Sequence, residues 1–342
     1  MKVLVAIDSF KGCMTSAEAN EAARQGILER LPQAQVMMLK MSDGGEGWLD
    51  ACYRQGDEVV ETIVSDPLFR PTKARYIKRG DTAVIEIAEA CGLNLLRPEE
   101  RNPLVVSSYG VGQLIADALR RGCKHFIVGL GGSGTSDAGR GMMEALKNTS
   151  FPEEAHFVIA TDVDNPLFGP NGAAVVFGPQ KGATPEMVEE LDRQARLFAE
   201  KSAKQMQTDK AMEPGAGAAG GLGYAFMQFL NAERRSGIEL LFDMQDFDNI
   251  LTNADLIITG EGHADRQTLM GKAPVGVLNR AKAKGVPVVL LAGQVDEREA
   301  LLQAGFADVV CTNEKGLPLE EAMKNDVAFN NIKDALRFKV PM

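Results

Sequence analysis

The chain has 342 residues, of which 45% are hydrophobic and 25% charged, and its formal net charge is −10. It is too long for one ordinary domain of roughly 100–200 residues, and its acidic charge argues against nucleic acid as a partner. No apolar run approaches the ~18 residues of a membrane span, and the N-terminal MKVLVAIDSFKG is unlike a signal peptide. We therefore expect a cytoplasmic two-domain protein with no nucleic-acid or membrane partner. A homodimer is one assembly that the sequence allows.

The five cysteines and three histidines are scattered along the chain and form no C-x-x-C pair. An odd, widely spaced set of cysteines indicates free thiols in a reducing compartment rather than a disulfide framework. A zinc site is not expected either, because the ligand spacing that zinc needs is missing.

Short β-branched runs that alternate with helical patterns predict βα units near both ends of the chain. At the N-terminal end, Thr15 and Glu18 form a capping-box pattern at the start of the first helix. The N-terminal units are a strand at 3–7, a helix at 15–31, a strand at 35–39 and a helix at 46–55. The C-terminal units are strands at 255–259, 287–291 and 307–311 and helices at 267–284, 296–304 and from 319 onward.

The middle of the chain follows another rhythm. Residues 58–88 predict strands joined by hairpin turns, followed by a βα unit at 106–146 and strands at 156–160 and 173–177. Two early and three late strands make a five-stranded doubly wound sheet. The predicted fold class is therefore α/β: a discontinuous flavodoxin-like domain of residues 1–57 and 250–342, with a large second α/β domain, residues 58–249, inserted into it. We expect the active site in the cleft between the two domains.

Three loops rich in carboxylates and glycine follow the first three strands of the predicted flavodoxin-like sheet: Asp8-Ser-Phe-Lys-Gly, Ser42-Asp-Gly-Gly-Glu-Gly and Gly260-Glu-Gly-His-Ala-Asp. Ligands of open α/β sheets bind beyond the carboxyl ends of the strands, so these loops should converge on one edge. Each loop also has an ordinary structural reading, in which its carboxylates cap helices and Lys11 makes a surface ion pair. The glycines between the carboxylates favour a ligand that approaches the backbone.

The segment GLGGSGTSDAG, residues 129–139, joins a predicted strand to a predicted helix. Five glycines in eleven residues allow close approach of an anion such as a phosphate, and Asp137 could bind magnesium or accept a proton. The structural alternative is a tight turn with Asp137 as a helix cap. Two G-x-G-x-x-G matches, at 129–134 and 215–220, are weak evidence for a dinucleotide site.

Glycine loops for anions, several carboxylates and a few lysines are the parts that phosphoryl transfer needs. Magnesium bridges the phosphates, donors spread the charge, and a carboxylate takes the proton of the acceptor hydroxyl. The sequence has no G-x-x-x-x-G-K-[ST] loop, no protein-kinase signature set and no G-x-S-x-G hydrolase motif. ATP with Mg²⁺ is therefore the expected co-substrate and cofactor of a kinase of another type.

Eight motifs occur in order along nearly the whole chain: Asp8-Ser-Phe-Lys, Ser42-Asp-Gly-Gly-Glu-Gly, Glu100-Arg-Asn-Pro, Gly131-Gly-Ser, Asp162-Val-Asp-Asn-Pro-Leu, Phe177-Gly-Pro-Gln-Lys-Gly-Ala, Gly217-Ala-Ala-Gly-Gly and Thr259-Gly-Glu-Gly. Together they resemble the bacterial glycerate kinase family. The resemblance implies a two-domain α/β enzyme that phosphorylates D-glycerate with ATP and magnesium, with 2-phosphoglycerate as the favoured product. Where the family usually has an arginine, this chain has His263, and Arg266 is a candidate replacement.

The expected roles fall into three groups, although the sequence does not separate the base from the metal ligands. The catalytic candidates are Lys11, Asp43, Asp137 and Asp265. The magnesium candidates are Glu46, Asp162 and Glu261. The candidates for binding glycerate or phosphate are Asp8, Ser9, Gly44, Gly45, Gly131, Gly132, Ser133, Gly134, Lys181, Gly217, Gly220, Gly260, Gly262 and Arg266.

Three alternatives stay open on the sequence. A kinase of another small hydroxy acid would use the same loops. A nicotinamide-dependent hydroxy-acid dehydrogenase is supported only by the two G-x-G-x-x-G matches. A small-molecule sensor would keep the cleft but would not need so many convergent carboxylates.

Overall fold

A computed structural model describes residues 1–339 of the chain. Contacts group the chain into two compact units: unit 1 is formed by Met1–Asp43 together with the segment that begins at Ile238, and unit 2 by Gly44–Gly237. Both units combine helices with a sheet that contains parallel strands, so the fold is mixed α/β. No helix among the described residues has the length and the apolar character needed to cross a membrane.

Within residues 1–339 the chain forms eleven strands: β1 Lys2–Ile7, β2 Gln35–Met38, β3 Glu58–Ser65, β4 Pro71–Arg79, β5 Thr82–Glu86, β6 His125–Gly129, β7 His156–Ala160, β8 Glu233–Arg235, β9 Leu256–Ala264, β10 Val288–Val295 and β11 Asp308–Cys311. The α-helices are α1 Ser16–Arg30, α2 Trp48–Cys52, α3 Ala88–Cys91, α4 Tyr109–Arg120, α5 Arg140–Leu146, α6 Ala173–Phe177, α7 Pro185–Met206, α8 Ala218–Phe229, α9 Gly237–Gln245, α10 Phe247–Leu251, α11 Ala273–Lys284, α12 Arg298–Ala304, α13 Leu319–Ala322 and α14 Asn325–Phe338. Short 3₁₀ helices lie at Leu93–Leu95, Pro98–Glu100, Pro179–Lys181 and Arg266–Leu269.

The sheet of unit 1 has the strand order β11-β10-β9-β1-β2, and all neighbouring strands are parallel. Strand β1, which lies between β9 and β2, is buried from Val3 to Ile7, as expected for a parallel strand covered on both faces. Helix α1 begins after Thr15 with the predicted capping box, in which Thr15 accepts a hydrogen bond from the Glu18 backbone N–H. Helices α1 and α14 pack against each other beside this sheet.

The sheet of unit 2 has the order β3-β4-β5-β6-β7-β8. Strands β3, β4 and β5 pair antiparallel, which confirms the hairpins predicted for residues 58–88, and the strands from β5 to β8 pair parallel. Phe126 and Phe157 on β6 and β7 stack with ring centroids 4.5 Å apart, and they belong to an apolar cluster of the unit.

The strand predicted at 173–177 is wrong, because these residues form helix α6. The backbone N–H groups of Val176 and Gly178 donate to carbonyls four residues earlier, those of Gly172 and Ala174. Its β-branched residues suggested a strand, but Val175 and Val176 are exposed and have no strand beside them. Tertiary context therefore overrides the local propensity.

The helices predicted at 46–55 and 267–284 also differ in detail. The first is the single short helix α2, which packs against β5 in unit 2. The second divides into a 3₁₀ helix and α11, with Pro274 in the first turn of α11, where its missing N–H costs no hydrogen bond. Helix α2 belongs with β5, and the compact units divide after Asp43 and after Gly237, whereas the sequence analysis placed the boundaries at 57 and 249.

Candidate active site

A cavity of about 820 Å³ lies within unit 1, at the carboxyl ends of its parallel strands. It is lined by Asp8 and Lys11 after β1, by Asp43 after β2 and by Glu261 near the end of β9. Strands β1 and β9 are neighbours in the sheet, and the strand order reverses between them. Such a switch point is where open α/β sheets bind ligands. The three predicted loops thus each contribute residues to one cavity of this unit.

Asp8 is the most strongly perturbed carboxyl group at this cavity. Burial raises its pKa to about 7, and the negative charges of Asp43 and Glu261 act in the same direction. The backbone N–H of Ser9, 2.7 Å from Asp8 Oδ1, and the charge of Lys11 lower the pKa only in part. A carboxyl group that titrates near neutral pH in a cavity is suited to proton transfer.

Glu261 is buried, and its two oxygens have different surroundings. Oε2 accepts a hydrogen bond from Lys272 Nζ at 2.9 Å. Oε1 has no hydrogen-bond partner among residues 1–339. A buried carboxylate oxygen without a partner is rare and calls for a ligand, such as a cation or a hydroxyl donor. The sequence analysis missed Lys272, which lines the same cavity from the residue before α11.

Two buried side chains of α1 hold the loops that carry Asp8 and Asp43. Asn20 accepts from the Ile7 backbone N–H at 3.0 Å and donates to the Leu39 carbonyl at 2.7 Å. Ser16 donates to the Ile7 carbonyl at 2.6 Å and accepts from the Met41 N–H at 2.9 Å. One helix face therefore joins the end of β1 to the segment after β2. The sequence analysis missed both side chains.

The third loop supplies fewer residues to the cavity than predicted. Glu261, Gly262 and His263 line it, and His263 Nε2 lies 2.7 Å from Asp296 Oδ2. Asp265 instead accepts a hydrogen bond from the Gln267 N–H at 2.7 Å and caps the 3₁₀ helix.

Two further residues of the predicted set also lie outside the cavity lining. Arg266 is 73% exposed and pairs with Glu297 at 2.7 Å. Gly260 lies inside β9, where a Cβ would overlap the Leu291 carbonyl of β10. Ser9, in contrast, lines the cavity beside Asp8.

Asp137 lies in unit 2, and both of its oxygens are occupied. Oδ2 accepts from the Ser108 N–H, the Ser108 hydroxyl and the Gly141 N–H, and Oδ1 accepts from the Gly139 N–H, all within 2.8–3.0 Å. A carboxylate has about four acceptor positions, so this one is saturated by the protein. Asp137 thus binds backbone N–H groups at the start of α5, as in the structural alternative, although the N-cap position itself is Gly139.

Lys181 is fully buried below the same glycine-rich loop. Its Nζ donates to the Ser133 hydroxyl at 2.8 Å and to the Thr135 carbonyl at 2.6 Å. Burial lowers the pKa of Lys181 to about 8, and the charge of Asp137 opposes this shift. Lys181 and Ser133 therefore stabilise the loop from inside unit 2.

The glycines of this loop and of the second G-x-G-x-x-G match allow backbones to touch. A Cβ at Gly131 would overlap Gly45, and one at Gly220 would overlap the Thr135 carbonyl. The Ala138 N–H donates to the Gly220 carbonyl at 3.0 Å, so the two glycine-rich segments pack on each other.

The remaining predicted glycines have similar surroundings. A Cβ at Gly44 would overlap Ala160, and one at Gly217 would overlap Pro166. A Cβ at Gly134 would press on Leu93, and Gly132 has a φ of +71°. These positions need glycine for packing or for backbone conformation, whether or not a ligand binds there.

Glu46 and Asp162 are exposed residues of unit 2, one before α2 and the other after β7. The sequence analysis missed another carboxylate of unit 2, Glu86, at the end of β5. It is buried, and it accepts hydrogen bonds from the N–H groups of Gly47 at 3.3 Å and Leu49 at 3.1 Å. Burial raises its pKa to about 7. Its position within an apolar strand pattern gave no sign of this role.

Magnesium fits the carboxylates of the unit 1 cavity in number and type. Among residues 1–339, no group of three or more histidine, cysteine or acidic side chains is close enough to enclose a metal ion. Magnesium is usually held by one or two carboxylates together with waters and substrate phosphates. Asp43 and the unpaired Oε1 of Glu261 are compatible with that smaller set.

The model of the glycerate kinase family matches residues 3–153 and 147–337 of the chain. The chain is 37% identical to the glycerate kinase of Bacillus subtilis strain 168, over 95% of this chain and 94% of that protein. It is 37% identical to the glycerate 2-kinase of Escherichia coli K12, over 98% and 96%. A crystal structure of a protein assigned as glycerate kinase 2 of Salmonella typhimurium LT2 is 37% identical, with a TM-score of 0.80 over 98% of this chain and 96% of that one. Sequence and fold agree over nearly the full length, and the chain belongs to the glycerate kinase family.

Proposed function

We propose that the protein transfers the terminal phosphoryl group of ATP to D-glycerate in the unit 1 cavity, with 2-phosphoglycerate as the product. The observation that carries this proposal is the cavity itself. Among its lining residues are Lys11 and Lys272 together with the carboxylates Asp8, Asp43 and Glu261, at a switch point of the sheet. The name of the Escherichia coli relative, glycerate 2-kinase, supports the choice of hydroxyl.

Asp8 is proposed as the base that takes the proton of the acceptor hydroxyl. Its pKa near 7 lets it accept a proton at neutral pH and release it afterwards. A base must lie within about 2.6–3.2 Å of the hydroxyl, which its place in the cavity wall permits. Ser9 orients the carboxyl group through its backbone N–H.

Lys11 and Lys272 are proposed to bind the phosphate oxygens. Lysine supplies a compact positive charge for phosphate, and phosphoryl transfer depends on such charges because negative charge spreads over the equatorial oxygens. Lys272 also donates a hydrogen bond to Glu261 Oε2. This contact fixes the carboxylate and therefore the direction of its unpaired Oε1.

Asp43 and Glu261 are proposed as the magnesium ligands. When bound, magnesium would neutralise negative charge on the phosphates. The protein's own part is to fix the two carboxylates: Ser16 and Asn20 hold the segment before Asp43, and Lys272 holds Glu261.

For the fold, we propose a flavodoxin-like doubly wound domain in unit 1 that is interrupted in sequence by unit 2. Numbered within the sheet of unit 1, its strands have the order 2-1-3-4-5, which supports this class. We also propose a cytoplasmic location, which the five free thiols support.

Phosphorus NMR of purified protein with ATP, magnesium and D-glycerate tests the function. A new monoester signal with the shift of 2-phosphoglycerate, formed as ATP is consumed, is the expected result. The Asp8→Asn variant should lose at least about 10²-fold in kcat, while Asp209→Asn, an exposed position of unit 2, serves as the control. No monoester from the folded wild-type protein would contradict the proposal.

A second candidate is phosphorylation of another small hydroxy acid. It is favoured by His263, which lines the cavity where the family usually has an arginine. The same NMR experiment with a set of three- and four-carbon hydroxy acids decides between them, because the true acceptor gives the highest kcat/KM.

A further inference from the structure

The unit 1 cavity has an apolar part that the proposed chemistry does not use. Leu317, Leu319, Ala322 and Met323 line it, in and beside α13. Leu319 is 71% exposed and Met323 is 42% exposed. Large apolar side chains that are exposed together on the wall of a cavity indicate a ligand with an apolar surface.

The cavity is too large for glycerate alone. At about 30 Å³ per non-hydrogen atom, the share of one water in the liquid, the seven non-hydrogen atoms of glycerate would occupy about 210 Å³. The cavity has about 820 Å³. The cavity therefore has room for a second occupant beside glycerate, and a ligand of nucleotide size is of the right order.

The apolar part is continuous with the part that carries the lysines. A Cβ at Gly12, the residue after Lys11, would lie 3.4 Å from Met323 Cε, in ordinary van der Waals contact. The Asn325 side chain donates to the Cys13 carbonyl at 3.1 Å and fixes the start of α14 to the same loop. A ligand with an apolar end and an anionic end can therefore contact both parts at once.

Asn313 adds a polar group to this wall. Its Oδ1 accepts a hydrogen bond from Asn331 at 3.0 Å, so the side chain offers its Nδ2 donors to a ligand. A purine ring has acceptor nitrogens along its edge. Glycerate has no apolar face, so it suits the wall of Leu319 and Met323 poorly.

We propose that this apolar part, with Asn313, holds the purine ring of the adenine nucleotide, and that the phosphates extend toward Lys11 and Lys272. The inference rests on the proposed function, since it specifies where the phosphoryl donor binds. It assigns the nucleotide to unit 1 and leaves the charged end of the cavity for the phosphates and the acceptor.

The test compares two ligands that differ in the ring. Isothermal titration calorimetry measures the Kd of Mg·ADP and of magnesium tripolyphosphate, which has phosphates but no base. The variant is Leu319→Asn with Met323→Gln, two neutral polar changes at exposed positions that should leave the fold intact. The matched control is Leu197→Asn with Met212→Gln, also at exposed positions but in unit 2.

The expected result is a Kd for Mg·ADP about tenfold higher in the variant, with the tripolyphosphate Kd and the control pair unchanged. An unchanged ADP Kd, an equal loss for both ligands, or no ADP binding by the wild-type protein would overturn the proposal. A raised KM for glycerate with an unchanged KM for ATP would also overturn it, because the wall would then bind the acceptor.

This test is separate from that of the proposed function. If the wild-type protein binds Mg·ADP with the expected loss in the variant but phosphorylates no glycerate, the reaction is wrong and the ring site stands. If glycerate is phosphorylated and the variant binds ADP normally, the reaction stands and the ring site is wrong.

Discussion

Changing Asn20 to aspartate replaces one side-chain atom and should disturb both the fold and the active site. In the native protein Asn20 accepts from the Ile7 N–H and donates to the Leu39 carbonyl. An ionised aspartate can still accept from Ile7, but it cannot donate to Leu39. The partly buried Leu39 carbonyl loses its partner and faces a negative oxygen. Because Ile7 precedes Asp8 and Leu39 leads to Asp43, the spacing of those carboxylates should change as well.

The size of the effect depends on pH, and its limits can be calculated. The lost hydrogen bond and the orphaned carbonyl cost about 1–3 kcal/mol. Protonating the aspartate restores the donor, so the loss of unfolding free energy cannot exceed the free energy of protonation. That free energy is ~1.4 kcal/mol for each pH unit above the ordinary aspartate pKa of about 3.9. The upper limit is therefore ~4 kcal/mol at pH 7 and ~1.5 kcal/mol at pH 5.

The sign follows from the direction of the shift. Burial and the neighbouring carbonyl raise the folded-state pKa of the new aspartate above its unfolded value. The stability of the variant should therefore approach that of the wild type as the pH falls toward 4, and should be lost relative to it as the pH rises through the folded-state pKa. The measurement is thermal and urea unfolding of both proteins between pH 5 and pH 8.

Gln228→Glu is the matched control for activity. Gln228 is a buried amide in unit 2 that accepts from the Lys210 N–H and donates to the Thr208 carbonyl, both at 2.9 Å. It should lose stability with the same pH dependence but keep its kcat/KM for glycerate, whereas Asn20→Asp should lose at least about tenfold in kcat/KM through misplaced carboxylates. Equal kcat/KM values for the two folded variants, or a stability loss independent of pH, would refute the reasoning.

Three further changes test other parts of the molecule. Lys272→Met removes the partner of the buried Glu261 and should lower kcat/KM by about 10²-fold or more, and steady-state kinetics with normal circular dichroism would show it. Asp137→Asn places an amide N–H donor among the four hydrogen-bond donors that surround Asp137, and it should lower the unfolding free energy by about 2–4 kcal/mol. A loss of kcat of about 10²-fold in the folded variant would instead mean a catalytic role. Gly220→Ala should prevent stable folding, because its Cβ would overlap a carbonyl at a φ of +68°, whereas Gly80→Ala, with a φ of +62° and open space, should cost only about 1 kcal/mol in unfolding experiments.

Local sequence determined the features that depend on neighbouring residues. Thr15 and Glu18 set the start of α1 because a capping box needs only groups three residues apart. Asp8 and Glu261 could be expected at one edge of a sheet, since the carboxyl ends of parallel strands share an edge. The family motifs could be read for the same reason: each is a short, contiguous stretch.

Tertiary structure alone decided which of the similar-looking carboxylates are available to a ligand. Asp137 and Glu261 both lie in glycine-rich stretches that follow a predicted strand, and the sequence treats them alike. Two of the donors to Asp137 come from Ser108, 29 residues away, and they help to saturate it. Glu261 receives one lysine and keeps an unpaired oxygen. Hydrogen-bond saturation depends on groups that only folding brings together, so no local pattern could distinguish a carboxylate that the protein saturates from one that keeps an unpaired oxygen.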